Sequence, residues 1–154
     1  MNIQILLSLL LVFMPSSFKI FCLRLMGHEI GNGCYIGFSL ISAKKISVGN
    51  NCIIAGRYSQ FFTHSITPTN LYDRRAIAIG DWCYIGSAVR VVPGCTIPDY
   101  SFVGMGSVIT RSFEESYLLH AGAPAIIKKK LAKESIFFNR THHRQPHHPL
   151  DYKG

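Results

Sequence analysis

A six-residue period constrains the fold of this chain more than any other feature of its sequence. From Ile79 the residues divide into the blocks IGDWCY, IGSAVR, VVPGCT, IPDYSF and VGMGSV. Each of these five blocks begins with Ile or Val, and Ile109 follows the last block. The six aliphatic residues are Ile79, Ile85, Val91, Ile97, Val103 and Ile109. Six is a repeat length of β-helices, in which each block forms one short side of a coil.

A weaker array of the same form precedes this one. The blocks IGNGCY and IGFSLI start at Ile30, and the blocks VGNNCI and IAGRYS start at Val48. A small residue often stands second in a block, which is typical of a backbone that turns a corner after each strand. Three sides would close one coil of about eighteen residues, with aliphatic side chains stacked inside. We therefore predict an all-β fold, a parallel β-helix of hexapeptide coils over residues 30–125.

The segment FFTHSITPTNLYDRR, residues 61–75, interrupts the period. Blocks before it start at residues 30, 36, 48 and 54, and the next array starts at residue 79, one residue out of phase with a multiple of six. A decayed repeat would keep the phase, so we interpret the break as an insertion. We predict a loop over residues 60–78, with His64 near its start.

Four of the five cysteines follow the repeat. They occupy the fifth position of a block, where later blocks have serine: Cys34, Cys52, Cys83 and Cys95. This position predicts small side chains that fill a narrow interior. The sequence has no CxxC pair and Cys22 is left unmatched, so we expect neither a zinc site nor a disulfide framework. That pattern agrees with a reducing compartment.

Residues 1–29 form an apolar and amphipathic segment. Its apolar run, Ile3 to Met14, is short for a bilayer span and ends at Pro15. It lacks the preceding basic residue and the following cleavage site of a signal peptide. Beyond it, apolar residues recur at helical spacing: Phe18, Phe21, Cys22 and Leu25. We predict a helix that either lies on a membrane surface or packs over the open end of the domain.

The C-terminal part of the chain carries most of the positive charge. Residues 126–154 contribute +5 of the net charge of +8. They lack the interleaved aromatics and the fold signature of a nucleic-acid binder, so we expect no nucleic-acid partner. Residues 126–139 predict a helix with Ile127, Leu131 and Phe138 on one face. The Pro- and His-rich residues 140–154 predict a disordered tail.

The hexapeptides on both sides of a His-bearing loop, with GAPAIIKK closing the repeat, resemble the hexapeptide-repeat acyltransferases of the left-handed parallel β-helix fold. The most similar branch is the sugar O-acetyltransferases of bacterial surface-polysaccharide synthesis. The resemblance covers residues 30–130. It implies acetyl-CoA as acyl donor, a sugar or glycan precursor as acceptor, and a homotrimer with active sites between subunits. The free cysteines predict a cytoplasmic enzyme. If the acceptor is a membrane-anchored precursor, the apolar residues 1–26 would suit peripheral association with the inner face of the membrane.

The resemblance assigns roles to individual residues. His64 matches the general base, and an imidazole suits the removal of a proton from a sugar hydroxyl near neutral pH. Asp73 is a candidate to orient it. The positions that match the family's coenzyme-binding residues are Gly86, Ser87, Gly104, Met105, Thr110, Arg111 and Lys129. Arg111 would pair with a phosphate, and no metal is expected.

Two departures from the family pattern leave other functions open. Ile126 stands where relatives carry a basic residue, and Gly37 stands where one branch has the Asn that binds the acceptor. The alternatives are an N-acetyltransferase of an amino sugar and a non-catalytic β-helix that serves in assembly. A zinc enzyme on the same coils would need three converging imidazoles, and the repeat contains only His64.

Overall fold

The computed structural model describes residues 10–11, 13–37, 39–41, 45–55, 57–63 and 65–140. Its secondary structure there includes a ten-residue helix, α1 (Ser16–Leu25), and many strands of two to six residues. In chain order the strands are β1 (Glu29–Ile30), β2 (Tyr35–Ile36), β3 (Ser39–Ile41), β4 (Ile46–Val48), β5 (Ile53–Ile54), β6 (Ser59–Phe61), β7 (Ser65–Thr67), β8 (Asn70–Asp73), β9 (Ile77–Ile79), β10 (Tyr84–Ile85), β11 (Arg90–Val91), β12 (Thr96–Ile97), β13 (Phe102–Val103), β14 (Val108–Ile109), β15 (Leu118–Gly122) and β16 (Ala125–Lys130).

Three sheets form the three sides of the coil. The first sheet contains β1, β4, β9 and β12, the second β2, β5, β10, β13, β15 and β16, and the third β3, β6, β11 and β14. Strands of successive coils pair in parallel, and partners such as Glu29 and Ser47, or Tyr84 and Phe102, are 18 residues apart. The prediction of an all-β chain made of hexapeptide coils is confirmed.

The core is the stack of residues that begin the hexapeptides. All six aliphatic residues of the main array are at most 3% exposed, and they face the interior above one another: Ile79, Ile85, Val91, Ile97, Val103 and Ile109. Each such burial contributes about 1.5–3 kcal/mol to folding. The period in the sequence is therefore the spacing at which the chain returns to its own core.

Helix α1 covers the open end of the first coil. Lys19 and Leu23 face the coil and are 2% and 3% exposed, while Phe18 and Phe21 on the opposite face are exposed. The Lys19 ammonium donates a hydrogen bond to the carbonyl oxygen of Gly37, and burial lowers the pKa of Lys19. The helix thus packs over the end of the domain and keeps an apolar outer face.

Side chains of α1 also satisfy backbone groups that the first coil leaves unpaired. Ser16 Oγ accepts a hydrogen bond from the Ile36 N–H at 2.9 Å, and the Arg24 guanidinium donates to the carbonyl of Ile30 at 2.7 and 2.9 Å. Among the residues that the structure describes, no strand pairs with the lower edge of the first coil, so these bonds replace the missing ladder.

The other end of the stack closes with a hairpin, and the predicted helix over residues 126–139 is wrong. Ala125–Lys130 form the strand β16, which runs antiparallel to β15. The edge of β15 offers unpaired backbone groups, and a returning strand satisfies them where a helix would not. This tertiary pairing overrides a local pattern that looked helical. Residues 133–134 and 136–139 form turns. The tail predicted to be disordered lies, beyond Arg140, outside the described residues.

We name the corners by the sheets they join. The first corner lies between the first and second sheets, as at residues 80–83 and 98–101. The second corner lies between the second and third sheets, as at residues 86–89 and 104–107. The third corner lies between the third and first sheets, as at residues 92–95.

Side-chain oxygens form a ladder along the first corner. Asn50 Oδ1 accepts from the Asn32 N–H at 2.9 Å, Asp81 Oδ1 from the Asn50 N–H at 2.6 Å, and Asp99 Oδ1 from the Asp81 N–H at 2.7 Å. Each coil therefore caps the corner of the coil below it. The Asn or Asp in the third position of a hexapeptide is the residue that makes this bond.

This ladder explains why glycine stands second in these blocks. A Cβ at Gly80 would lie 2.5 Å from the amide nitrogen and 2.9 Å from the Cα of Asp99, and a Cβ at Gly31 would lie 2.6 Å from the carbonyl carbon of Gly49. Neither glycine has a positive φ. Close approach of two coils, rather than backbone conformation, therefore requires glycine here.

Aromatic residues at the first corner hold the C-terminal segment against the coils. Trp82, Tyr100 and Tyr117 have φ angles of 56°, 57° and 61°, a left-handed conformation that costs an L-residue about 1–2 kcal/mol. The rings of Tyr100 and Tyr117 stack with centroids 4.6 Å apart, and Phe138 packs edge-on against both. The Arg140 guanidinium lies 4.9 Å from the Trp82 ring. These contacts offset the backbone cost.

The cysteines of the repeat are buried free thiols, as predicted. Cys34 Sγ donates to the carbonyl of Gly49 at 3.0 Å, and Cys52 Sγ donates to the carbonyl of Gly80 at 2.9 Å. A hydrogen bond with Cys52 and burial raise the pKa of Cys34 far above that of a free thiol. A hydrogen bond with Cys34 lowers the pKa of Cys52, but a bond to Cys83 and burial raise it to about 12. These thiols serve packing rather than chemistry.

The structure divides the phase break into two parts. In the third sheet Gln60 pairs with Arg90 across 30 residues, and in the second sheet Ile53 pairs with Tyr84 across 31. A regular coil takes 18. Twelve extra residues therefore lie between β6 and β9, where β7 and β8 form an antiparallel hairpin. The thirteenth lies earlier, in the second corner between Ile54 and Ser59.

Replacing Gly80 with alanine should destabilise the fold. The added Cβ would meet backbone atoms of Asp99, which a side-chain rotation cannot move, so we expect a loss of about 1–3 kcal/mol in the free energy of unfolding. Urea denaturation followed by circular dichroism measures it. The double variant Gly80→Ala/Asp99→Ala should not recover, because the Asp99 amide nitrogen stays in place.

Gly106→Ala is the matched control for this prediction. Gly106 has a φ of 70°, and a Cβ there would meet no atom within 4 Å, so we expect only the conformational cost of about 1 kcal/mol. Equal costs for the two variants would show that coil contact is not what selects glycine at position 80.

Candidate active site

The predicted coenzyme residues Gly86, Ser87, Gly104 and Met105 lie together on the second corner. A Cβ at Gly86 would be 2.8 Å from the Met105 amide nitrogen, and the Gly106 N–H donates to the Ser87 carbonyl at 2.9 Å. The eighteen-residue spacing therefore stacks the two pairs in successive coils. In this corner Gly86 is buried, and Met105 in the coil above it is exposed.

The backbone N–H groups of this corner differ in whether the neighbouring coil accepts a hydrogen bond from them. The N–H groups of Gly86 and Gly104 donate to the carbonyls of Val103 and His120, each at 2.9 Å. The N–H groups of Ser87 and Met105 have no acceptor among the described residues. The candidate hydrogen-bond donors of this corner are therefore the N–H groups of Ser87 and Met105, each of which directly follows a glycine in the chain.

The other predicted coenzyme residues lie apart from this corner. Thr110 and Arg111 follow β14 on the third corner, and both are exposed. The Arg111 guanidinium carbon lies 5.9 Å from the centroid of the Phe113 ring. Lys129 is exposed on β16, at the end of the second sheet. The structure therefore brings together four of the seven predicted coenzyme residues, all on the second corner. The other three, which include the cations Arg111 and Lys129, lie on other surfaces of this chain.

The inserted loop leaves the coil at the third corner. His64, the predicted general base, lies outside the described residues. Around it, Thr63 is buried, and Ser65 opens the strand β7, where it pairs with Asp73 of β8. The described part of the loop is therefore a two-stranded hairpin with a defined register.

An ion pair anchors the base of this hairpin. Both carboxylate oxygens of Asp73 accept hydrogen bonds from the Arg75 guanidinium at 2.7 Å, and this bond lowers the pKa of Asp73. The Arg75 side chain lies where a Cβ at Gly94 would be, 2.9 Å from its guanidinium carbon. Sequence reasoning considered Asp73 only as a partner for His64. The Asp–x–Arg spacing was the available signal for its role in the anchor.

Two other histidines are buried in the domain. His28 Nδ1 accepts from the Ile46 N–H at 3.2 Å. His120 occupies the inward position above Val103, and its ring stacks on Phe113 with centroids 3.8 Å apart. Neither ring nitrogen of His120 has a hydrogen-bond partner among the described residues. No group of three His, Cys, Asp or Glu in the described part of the chain is placed to hold a metal ion.

Comparison with curated proteins finds sugar acetyltransferases. No protein-family profile matches the chain. The galactoside O-acetyltransferase of Escherichia coli (strain K12) is 28% identical over 110 residues, which are 67% of this chain and 54% of that protein. The putative colanic acid biosynthesis acetyltransferase of the same strain is 25% identical over 117 residues, 68% of this chain and 60% of that protein.

The solved structures that match this chain include acetyltransferases as well. The crystal structure of a hexapeptide-repeat containing acetyltransferase from Vibrio cholerae matches with a TM-score of 0.61 and 26% identity, over 68% of this chain and 63% of that chain. This chain is therefore similar to the hexapeptide-repeat acetyltransferases in sequence and in fold. A structure of the V. cholerae protein complexed with acetyl coenzyme A shares the fold, with a TM-score of 0.58 and 23% identity over 82% and 84% of the two chains.

Relatedness here covers the coils rather than a whole protein. The chain spans about half the length of the galactoside O-acetyltransferases that it matches.

The buried His120 should make the stability of this protein sensitive to acid. Burial lowers the pKa of His120 in the folded chain below its unfolded value of about 6.5. The unfolded chain then binds more protons in acid, so stability falls as the pH drops through about 6.5. His120→Leu should reduce the loss of Tm between about pH 7.5 and about pH 5.5.

Differential scanning fluorimetry at both pH values tests this expectation. His28→Leu is the comparison, because burial also lowers the pKa of His28, but that imidazole accepts a hydrogen bond that leucine cannot replace. Only the His120 variant should lose acid sensitivity without losing stability at neutral pH. An unchanged drop in Tm for His120→Leu would contradict the assignment.

Proposed function

We propose that this protein transfers an acetyl group from acetyl-CoA to a sugar hydroxyl, in the synthesis of a surface polysaccharide. The observation that carries the proposal is the stacking of Gly86–Ser87 and Gly104–Met105 on one corner. The N–H groups of Ser87 and Met105 there have no acceptor in the part of the chain that the structure describes. The relatives named as galactoside O-acetyltransferase and colanic acid biosynthesis acetyltransferase support the acceptor class. The V. cholerae structure with acetyl coenzyme A supports the donor.

The reaction is an acyl transfer from sulfur to oxygen. The sugar oxygen attacks the thioester carbonyl while His64 removes the hydroxyl proton. The carbonyl carbon–sulfur bond then breaks, and the protonated His64 returns this proton to the sulfur, so that coenzyme A leaves as the thiol. The oxyanion formed on the carbonyl needs donors. The amides of Ser87 and Met105 are the donors of the corner that the coils leave free. Arg111 and Lys129 supply positive charge for the coenzyme phosphates.

The assembly is part of the same proposal. Thr110, Arg111 and Lys129 lie on surfaces other than the second corner, and the loop leaves at the third corner. A homotrimer would bring the loop of one subunit toward the second corner of its neighbour, which would join the base and the donor site. We infer this homotrimer and the left-handed sense of the coil from the resemblance to the family.

The general-base assignment predicts a loss of turnover in His64→Ala. We expect kcat/KM for acetyl transfer to fall by ~10²- to 10⁴-fold, since general-base assistance is removed. Binding of acetyl-CoA, measured by isothermal titration calorimetry, should not change. The assay follows thiol release over a panel of methyl pyranosides, amino sugars and nucleotide sugars.

His142→Ala, in the tail, is the matched control and should keep full activity. Full turnover in His64→Ala would remove the assigned base. Preference for amines over hydroxyls in the panel would favour the N-acetyltransferase alternative. Failure of the wild-type chain to bind acetyl-CoA would favour the non-catalytic alternative.

We further propose that the outer face of α1 holds the protein at a membrane surface. Phe18, Phe21 and Leu25 are exposed on this helix, and the apolar run from Ile3 to Met14 precedes it. Among the described residues, no helix is both long and apolar enough to cross a membrane. Such a position suits a lipid-linked glycan precursor as acceptor and places the enzyme on the cytoplasmic side, where acetyl-CoA is available.

Vesicle flotation tests the membrane surface directly. Phe18→Ser/Phe21→Ser should reduce binding of the full chain to phosphatidylethanolamine–phosphatidylglycerol vesicles by at least about tenfold, because the two exposed aromatic side chains that would insert into the membrane surface are lost. Ile126→Ser/Ile127→Ser removes two comparably exposed side chains from β16 and is the control. Equal binding of both variants, or no binding of the wild type, would contradict the proposal.

A further inference from the structure

Tyr58 is a large exposed side chain on the second corner. Its side chain is 74% exposed, and its φ is 68°, a conformation that bulky L-residues rarely adopt. The corner that carries it contains the extra residue between Ile54 and Ser59. Tyr58 therefore exposes an aromatic ring to solvent and has an unfavourable φ angle. Among the described coils, its corner is the only second corner that contains an extra residue.

Comparison with the first corner shows that packing does not account for this ring. Trp82, Tyr100 and Tyr117 have similar φ angles, but each ring is stacked on another ring or covered by the C-terminal segment. Tyr58 makes no ring contact and no cation–π contact with any described residue. The left-handed φ belongs to the corners, since Ala88 in the coil above has a φ of 56°. What distinguishes Tyr58 is an exposed ring without such contacts, and this exposure favours a role in binding.

The backbone beside Tyr58 is fixed under the predicted donor site. Ser59 Oγ donates to the carbonyl of Gly86 at 3.0 Å and accepts from the Val89 N–H at 3.3 Å. The Ala88 N–H donates to the carbonyl of Arg57 at 3.0 Å. Tyr58 therefore lies one coil below the corner formed by Gly86, Ser87 and Ala88.

The wall above the Tyr58 ring is built from small residues. Ala88 and Gly106 continue its column upward, and a Cβ at Gly106 would meet no atom within 4 Å. Coils are separated by about 4.8 Å, so this low wall is about 10 Å high. Met105 is exposed beside its upper end. Tyr58 is therefore an exposed aromatic residue one coil below Ser87 and two coils below Met105, whose N–H groups have no acceptor among the described residues.

We propose that Tyr58 is the platform on which the acceptor sugar ring stacks, which makes it a specificity-determining residue of the proposed reaction. This inference rests on the proposed acetyl transfer. Arg111 and Lys129 follow Gly86 and Gly104 toward the upper end of the stack, although they lie on other surfaces. Acetyl-CoA bound with its phosphates toward these cations would have its thioester toward the lower coils, nearer to Tyr58. The apolar C–H face of a pyranose packs on an aromatic ring, while its hydroxyls remain free to react.

Steady-state kinetics of the full chain with methyl galactopyranoside and the other methyl pyranosides tests the platform. Tyr58→Asn removes the ring, and asparagine tolerates the left-handed conformation. We expect KM for the sugar to rise about tenfold, with KM for acetyl-CoA unchanged. Tyr58→Phe keeps the ring and should stay within about threefold of the wild type. Ile136→Asn, which alters a side chain that is also 74% exposed, should change neither constant.

Stability and mass measurements separate binding from structure. Tyr58→Asn should have a Tm equal to or above that of the wild type, since an exposed ring in an unfavourable conformation is lost. An unchanged KM for the sugar in Tyr58→Asn would overturn the platform and leave the acetyltransferase proposal intact. A smaller mass by light scattering would show that Tyr58 is a subunit contact and would also overturn it. A wild type that acetylates no pyranose would end both proposals.

Discussion

The structure depends on close contact between the backbones of successive coils. At Gly80 the coil above approaches so closely that the amide nitrogen of Asp99 occupies the space of a Cβ atom. This approach lets the Asp99 carboxylate accept a hydrogen bond from the Asp81 N–H and keeps partner strands 18 residues apart. Because that register is fixed, residues with the same place in the repeat form columns. The aliphatic columns are the core, and the columns at the corners are the surfaces on which function can be built.

The stack of coils has two ends and one interruption, and a different structural element stabilises each of them. The lower end is covered by α1, whose Ser16 and Arg24 bond to backbone groups of the first coil. The upper end is closed by the antiparallel return of β16 on β15. The hairpin of the inserted loop leaves between two strands and is tied down by Asp73 and Arg75. None of these devices disturbs the register, so an insertion of this size is tolerated.

The distribution of covered and uncovered corners limits where a substrate can bind. The first corner is occupied by the C-terminal segment, with Phe138 and Arg140 on its aromatic rings. The third corner is occupied by the base of the loop. The second corner has small residues, the exposed Tyr58, and N–H groups at Ser87 and Met105 that no described residue accepts from. Donor and acceptor would therefore meet on the column that packing leaves open, with catalysis added from a loop.

The sequence by itself determined the coils, their register and their core, because a backbone that returns to its own interior every six residues must repeat its apolar positions at that spacing. It also determined that residues 61–75 are an insertion and that Cys34, Cys52, Cys83 and Cys95 are packing residues. Only the tertiary structure decided that Ala125–Lys130 form a strand, that the odd residue of the phase break lies near Tyr58, and that Arg75 fills the space above Gly94. In each case the deciding contact joins residues far apart in the chain, and a local pattern contains no information about such a partner. The role of His64 remains a prediction from sequence resemblance.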